Sequence, residues 1–287
     1  MTSKFWYLFL IPLFSLLAAI EFYPLTYSFY LSLSNSNGGF DLSNYATMIN
    51  DPAFWNAVNI SVLYALSSTI MALGIGLGLT FLLLQNLRGN RLLEILYILP
   101  LGVAPIVVGT LWAPASVWDD IQSFLHFVLR LPIFNEVTPL FFFPVMSFSE
   151  AWEWSPLIML VALSIVNSTP KEIYEAAELH GASAFQKFRM ITVPTILKSP
   201  VTQFVVVLRF IDAMRAFEIP LSWSNWVGYQ TAVGSPVDTL SLFLYKLLFQ
   251  PAFGFPIGLV SAIALTLFSI TLVGAAILLR LLKTIGG

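Results

Sequence analysis

Residues 257–279, IGLVSAIALTLFSITLVGAAILL, carry no charged side chain and sit within 33 uncharged residues between Lys246 and Arg280. About 20 apolar residues suffice to cross a bilayer as a helix. Further charge-free runs recur upstream: 16 residues between Lys4 and Glu21, 36 between Asp51 and Arg88, 24 between Glu94 and Asp119, and 17 between Glu153 and Lys171. They predict helices near 5–31, 57–84, 93–117, 143–166, 196–219 and 256–281. The fold class expected is therefore an all-α membrane protein of six transmembrane helices. The first run also has a small-residue pair, Ala18-Ala19, that fits a signal-peptide cleavage site. Against that reading, the apolar run continues past Glu21 and the amino end is barely basic.

Composition agrees. Of 287 residues 58% are hydrophobic and only 10% charged, with a mean hydropathy of +0.84. A soluble domain of this size would expose more charge. The net charge of −2 offers no basic field for nucleic acid. There is no cysteine, and His126 and His180 are the only histidines, which argues against a thiolate or multi-histidine metal site. No Walker-type Gly-x4-Gly-Lys-Ser/Thr loop occurs, so the chain is not an ordinary P-loop ATPase.

With the amino end inside, nine of the 13 Lys and Arg fall in cytoplasmic segments: Lys4, Arg88, Arg91, Lys171, Lys187, Arg189, Lys198, Arg280 and Lys283. The outside loops then hold Asp41, Asp51, Asp119, Asp120, Glu136 and Asp238, with Arg130 the one clear cation. That asymmetry places both termini in the cytoplasm. No linker or internal repeat divides the chain, so 1–287 reads as a single membrane domain. Residues 239–249 read as a short interfacial helix before the last span.

The most informative cytoplasmic segment is 167–200. Thr169-Pro170-Lys171-Glu172 has the form of a capping box with Pro at the first helical position. Ile173, Ala176 and Ala177 then share one side, while Glu172, Glu175 and Glu178 cluster elsewhere. Gly181 interrupts, and Ser183-Ala184-Phe185-Gln186 repeats the capping pattern. This predicts helix, glycine turn and helix, ending before Pro194. Such a unit suits docking in a partner's groove; an amphipathic helix lying on the membrane surface fits the same pattern.

Glu175-Ala176-Ala177, Gly181 after three residues and Ile191-Thr192-Val193-Pro194 after nine more resemble the EAA loop of ABC importer permeases, with Val193 where that motif has Leu. Phe40-Asp41-Leu42-Ser43-Asn44-Tyr45, Asp51-Pro52-Ala53-Phe54-Trp55, Leu99-Pro100, Gly109-Thr110-Leu111-Trp112, Glu150-Ala151-Trp152-Glu153, Phe217-Glu218 and Gly234-Ser235-Pro236-x-x-Thr239 are similar to elements of the carbohydrate, maltose-type branch. His180 and Ser235 depart from that branch, which usually has Asp and Gly there. The resemblance implies a type I ABC-importer permease fold in a prokaryotic inner membrane, with coupling helices at about 167–194. It further implies a second permease subunit, two ATP-binding subunits that hold ATP and Mg, and an external solute-binding protein. No cofactor or catalytic residue is implied on this chain. Docking to the ATPase would fall to Glu175, Ala176, Ala177, His180, Gly181, Ile191 and Pro194.

Ionisable residues also fall inside the expected spans. Arg209, Asp212, Arg215 and Glu218 recur every third residue along the fifth, and Glu150 and Glu153 lie on the fourth. Helical rise puts Glu153 and Arg209 both about 20 Å from the cytoplasmic ends. Such groups pair with one another or line a watery path. Two readings stand: an ion-pair network locking helices, or a solute path shared with Trp152, Trp154 and Trp223 and, more weakly, Asn59 and Gln203. The sugar class rests on the resemblance, and a same-fold permease for glycerol phosphate or a polyamine fits the same charges. A secondary transporter or channel would have no use for residues 170–194.

Overall fold

The computed structural model describes residues 3–34, 39–85, 88–113, 120, 123, 124, 126–128, 139–229, 233–249 and 257–286. Asp119, Arg130 and Glu136 of the expected outside loops, and residues 35–38, lie outside the described residues. Among the described residues the chain is helical, and its one extended pairing is an isolated bridge between Ser34 and Phe40.

Helix α1 (Ser3–Leu17) runs through a π turn (Ala18–Phe22) into α2 (Tyr23–Ser32), then α3 (Ser43–Asn50) leads to α4 (Pro52–Leu83). The start of α4 is well specified: Pro52 occupies the first turn, and Asp51 Oδ1 accepts from Ala53 N at 2.8 Å. At 32 residues α4 is the longest helix among the described residues, about 48 Å at 1.5 Å per residue. The third expected span is broken. α5 (Asn90–Ile98) tightens into a 3₁₀ turn at Leu99–Gly102, and α6 (Pro105–Trp112) leaves at 104° to it. Pro100 and Pro105 are the physical reason, since each lacks an N–H and clashes with a preceding turn.

α7 (Pro139–Ser168) lies along α4. α8 (Lys171–Leu179) and α9 (Ala184–Lys187) follow, then a π turn (Phe188–Thr192) and α10 (Val193–Lys198). Pro194 therefore does not end the helix as its sequence position suggests. The wider π turn just before it removes the hydrogen bond that proline cannot make. The break comes at Ser199-Pro200, where α11 (Pro200–Met214) departs at 70°. α12 (Glu218–Trp226), α13 (Leu240–Phe249) and α14 (Ile257–Gly286) complete the order.

Among the described residues three helical stretches are long and apolar enough to cross a membrane: Leu10–Ser32, Pro52–Leu83 and Ile257–Thr284. The bent pairs Asn90–Gly102 with Pro105–Trp112, and Ala184–Lys198 with Pro200–Met214, raise the number to five. α7 is 30 residues long but carries Glu150 and Glu153. Between α4 and α7 the backbones touch at Gly76, where an added Cβ would stand 2.6 Å from Ile158 Cβ and 2.8 Å from Ser155 O. Small residues at helix crossings are what membrane packing favours, because lipid supplies no hydrophobic drive to association. Polar cross-links join α4 to α7, α6 to α12 and α11 to α14: Ser67 to Ser147 at 2.9 Å, Thr110 to Ser222 at 3.0 Å, and Gln203 Nε2 to Leu282 O at 3.3 Å.

α13 corrects the interfacial reading of 239–249. Leu240, Leu242, Phe243, Lys246 and Leu247 are buried, and Leu240, Phe243 and Leu247 pack with Phe54 of α4 and Ile263 of α14. Asp238, assigned to a solvated loop by its sequence position, is fully buried. Its Oδ1 accepts from Lys246 Nζ at 2.6 Å and from Ser235 Oγ at 2.6 Å.

Gly76→Ala is expected to lower the unfolding midpoint of the detergent-solubilised protein, with an overpacking cost of about 1–3 kcal/mol. Gly74→Ala, where an added Cβ meets nothing within 4 Å, should leave the midpoint unchanged or slightly raised. Equal midpoints for the two variants would contradict the close α4–α7 contact.

Candidate functional site

The π turn and the Pro200 break aim α11 into the bundle against α4, α7 and α14. Arg209 thereby reaches the interior and is 1% exposed. Its Nη2 lies 2.6 Å from Glu150 Oε1 of α7 and 3.3 Å from Ser68 Oγ of α4. Nη1 lies 3.5 Å from Asp212 Oδ2, and the guanidinium carbon sits 5.1 Å from the centre of the Trp154 ring. The sequence reading set Arg209 level with Glu153; the ion pair forms instead with Glu150, one helical turn earlier. Arginine suits this place, since its planar fork can serve several partners at once.

In front of this cluster opens a cavity of ≈ 410 Å³, whose walls include Glu150, Glu153, Trp154, Asp212, Arg215 and Glu218. The run of threes from Arg209 to Glu218 is not one helix face. α11 stops at Met214, and Glu218 opens α12 after a break at 215–217. The break turns Arg215 and Glu218 toward the cavity. Arg209 stands behind the wall. Trp152 packs instead with Trp112 at 5.6 Å between ring centres, and Trp223 is buried in a core with Tyr64 and Met146. Asn59 is exposed on α4, and Gln203 bridges α11 to α14. The structure thus gathers Glu150, Glu153, Asp212, Arg215 and Glu218 and leaves Asn59 and Trp152 outside. The seat of Trp154 over Arg209 is set by tertiary structure.

Residues 171–187 form two helices around a turn. Gly181 has φ +78°, with Gly181 N donating to Glu178 O at 2.8 Å and Ala182 N to Ala177 O at 3.0 Å. This bond pair is the Schellman ending, which calls for a left-handed residue at that position. The capping box at Ser183 and Gln186 is present in both directions, at 3.3 and 2.8 Å. The expected box at Thr169 and Glu172 is not formed. Thr169 Oγ1 donates back to Ile165 O at 2.9 Å, and α8 begins after Pro170 with no side-chain cap. A threonine at the end of a preceding helix has this local alternative.

Tyr174 and Thr192 hydroxyls meet at 3.2 Å, and Lys187 pairs with Glu178, closing the two helices on each other. A notch of ≈ 330 Å³ remains between them, lined by Ala176, Ala177, His180, Met190 and Ile191 among others. Leu179 is 88% exposed, and Phe185 and Met190 are exposed as well. Glu175 and Gly181 are exposed outside the notch, and Pro194 is half-buried at the start of α10. Phe81 at the end of α4 packs on Phe185 and Phe188, with ring centres 6.0 and 4.9 Å apart. Among the described residues no group of three or more His, Asp or Glu could hold a metal ion.

Arg209→Met and Glu150→Gln should each destabilise the folded protein, because each strands a buried polar partner. Breaking a buried pair costs about 3–5 kcal/mol. The double variant should recover much of the loss, and yield and unfolding midpoint in detergent measure it. Additive losses would show that the two side chains do not share one interaction.

The inner-membrane component family of binding-protein-dependent transport systems matches residues 70–285. Among curated relatives, the trehalose/maltose permease MalF of Thermococcus litoralis is 26% identical over 227 residues, covering 76% of both chains. The trehalose permease SugA of Mycobacterium tuberculosis is 25% identical over 280 residues, 94% of this chain and 86% of that one. The sulfoquinovosyl glycerol permease SmoG of Agrobacterium fabrum is 30% identical over 293 residues, 96% and 90% of the two chains. A crystal structure of a bacterial ABC transporter importing alginate superposes with TM-score 0.79 at 17% identity, covering 99% of this chain and 96% of that chain. The same transporter type in complex with its alginate-bound periplasmic protein gives 0.78 at 19%, covering 99% and 95%. The fold is that of an ABC-importer permease, and the chain belongs to the family of binding-protein-dependent transport system inner-membrane components, which are transport subunits and not enzymes.

Proposed function

We propose that this chain is one of two permease subunits forming the translocation path of an ATP-driven sugar importer. It is a single membrane domain, with six spans and both termini in the cytoplasm. The cavity at Glu150, Glu153, Asp212, Arg215 and Glu218 is its share of the path. Residues 167–194 dock into an ATP-binding subunit, and two such subunits hold ATP and Mg. An external binding protein delivers the solute. The sugar class is supported by the trehalose, maltose and sulfoquinovosyl glycerol permeases among the relatives.

The observation that carries this reading is the mechanical link between cavity and cytoplasmic unit. The docking helices continue through the π turn into α10 and, after one bend, into α11, which bears Arg209 and Asp212. Phe81 ties the same unit to α4. A partner moving the unit therefore moves two helices that meet at Arg209 through Ser68. Nucleotide-driven approach of the ATPases would rock α4 and α11 together and expose the cavity to alternate sides. No bond is made or broken on this chain; rigid elements carry the work.

Exposed apolar groups at Leu179, Phe185 and Met190, and a notch floored by alanine, suit helix-in-groove recognition. Glu175→Lys and Gly181→Arg are expected to abolish co-purification of the ATP-binding subunit and solute uptake, while the permease keeps its unfolding midpoint to within a few degrees. An ATPase subunit retained at wild-type yield by both variants would overturn the docking role.

A further inference from the structure

The break at 215–217 brings Arg215 and Glu218 to the cavity, yet it lies in no helix that could hold it. α11 ends at Met214 and α12 begins at Glu218. A chain leaving a helix carries carbonyls that the helix no longer satisfies. The hold comes from the start of α13. Thr239 is fully buried, and its Oγ1 donates to Ala216 O at 2.8 Å. The same oxygen accepts from Leu242 N at 3.4 Å, as an N-cap does for the third residue of its helix. One hydroxyl thus caps α13 and ties it to the break. Tyr245, further along α13, sets its ring 5.1 Å from that of Phe217, the next residue of the break.

Such an anchor must itself be fixed. Leu240 N donates to Ser61 Oγ of α4 at 2.7 Å, and Asn56 Nδ2 of α4 donates to Gly234 O at 2.9 Å. Asp238, the residue before Thr239, is held by Lys246 and Ser235, and Lys246 Nζ also donates to Tyr229 O at 2.7 Å. A fully buried ion pair adds little net stability over an apolar replacement; here it fixes the segment that presents Thr239. Val237 shares a core with Ile219 and Trp223, so the body of α12 is packed from the same segment.

We propose that Thr239 is a positioning residue for the cavity: by holding the Ala216 carbonyl it fixes the break between α11 and α12, and so keeps Arg215 and Glu218 on the cavity wall. Its bearing on transport rests on the cavity being the solute path. Thr239 touches no solute and acts only through the backbone of Ala216.

The chain has no cysteine, so single cysteines can report which positions meet water. In the assembled transporter in nanodiscs, where reagent reaches both faces, Glu218→Cys and Arg215→Cys are each reacted with a water-soluble methanethiosulfonate, and the adduct on this chain is followed by mass. Ser149→Cys, at a side chain with no exposure, controls for general loosening of the bundle. Thr239→Val keeps the shape and loses the donor. It is expected to slow reaction at 218 and 215 at least threefold, with Ser149→Cys still unreactive. Thr239→Ser, which keeps the hydroxyl, should leave both rates within twofold of those beside native Thr239. If Thr239→Val does not assemble, Thr239→Ala is read by the same criteria. Rates unmoved by loss of the hydroxyl, or slowed as much by Thr239→Ser, would overturn the proposal and leave the path standing. So would a Ser149→Cys that turns reactive, since the hydroxyl would then serve the whole bundle. Cysteines at 215 and 218 that stay unreactive even beside native Thr239 would instead refute the cavity as a watery path, and the proposal with it.

Discussion

A guanidinium buried to 1% exposure in a membrane bundle is tolerable only if its surroundings are built for it. Arg209 ties α11 to α7 through Glu150 and to α4 through Ser68, while Trp154 covers one face. Lipid gives helices no hydrophobic reason to associate, so such polar contacts and close small-residue crossings specify which faces meet. Gly76 against Ile158 and Ser67 against Ser147 do for α4 and α7 what Arg209 does for α11. The cavity follows from this arrangement. Its wall includes Glu150, Glu153, Asp212 and Glu218, with Arg215 among them.

The same helix leads back to the helical unit at 171–198. Proline, usually a terminator, serves here as a joint: Pro194 is carried by a π turn, and Pro200 sets the 70° bend. The unit at 171–198 is closed by side chains from its two helices and the turn after them, Tyr174 with Thr192 and Glu178 with Lys187. Gly181 supplies the left-handed turn between its helices. The unit is fixed at both ends, to α4 by aromatic rings and to α11 by the backbone.

Much of this was legible in the sequence, for identifiable reasons. Long charge-free runs and the docking segment are local patterns, and local patterns survive folding: the Ser183–Gln186 box and the Gly181 turn form as their spacing implies. The misread features were decided by tertiary competition. Thr169 caps backward onto Ile165 because a preceding helix offers its carbonyl. Asp238 looked solvated because its partner Lys246 lies on the following helix, where a buried lysine is rare. Arg209 chose Glu150 over Glu153 through helix rotation, which residue counting does not give. The four charges at intervals of three suggested one continuous face, and the break at 215–217 divides them. That break is what turns Arg215 and Glu218 toward the cavity.

The central claim is that a cytoplasmic unit of this chain docks into an ATP-hydrolysing subunit. The chain has no cysteine, so a single cysteine in place of Leu179, the 88% exposed tip of the unit, can carry a photo-activated cross-linker without further engineering. In membranes containing the whole transporter, irradiation is expected to yield one adduct, with the ATP-binding subunit, and its amount should change when nucleotide is added. A label that reacts with an impermeant reagent from the outer face of intact cells, or that cross-links to lipid alone in an assembled transporter, would contradict the account.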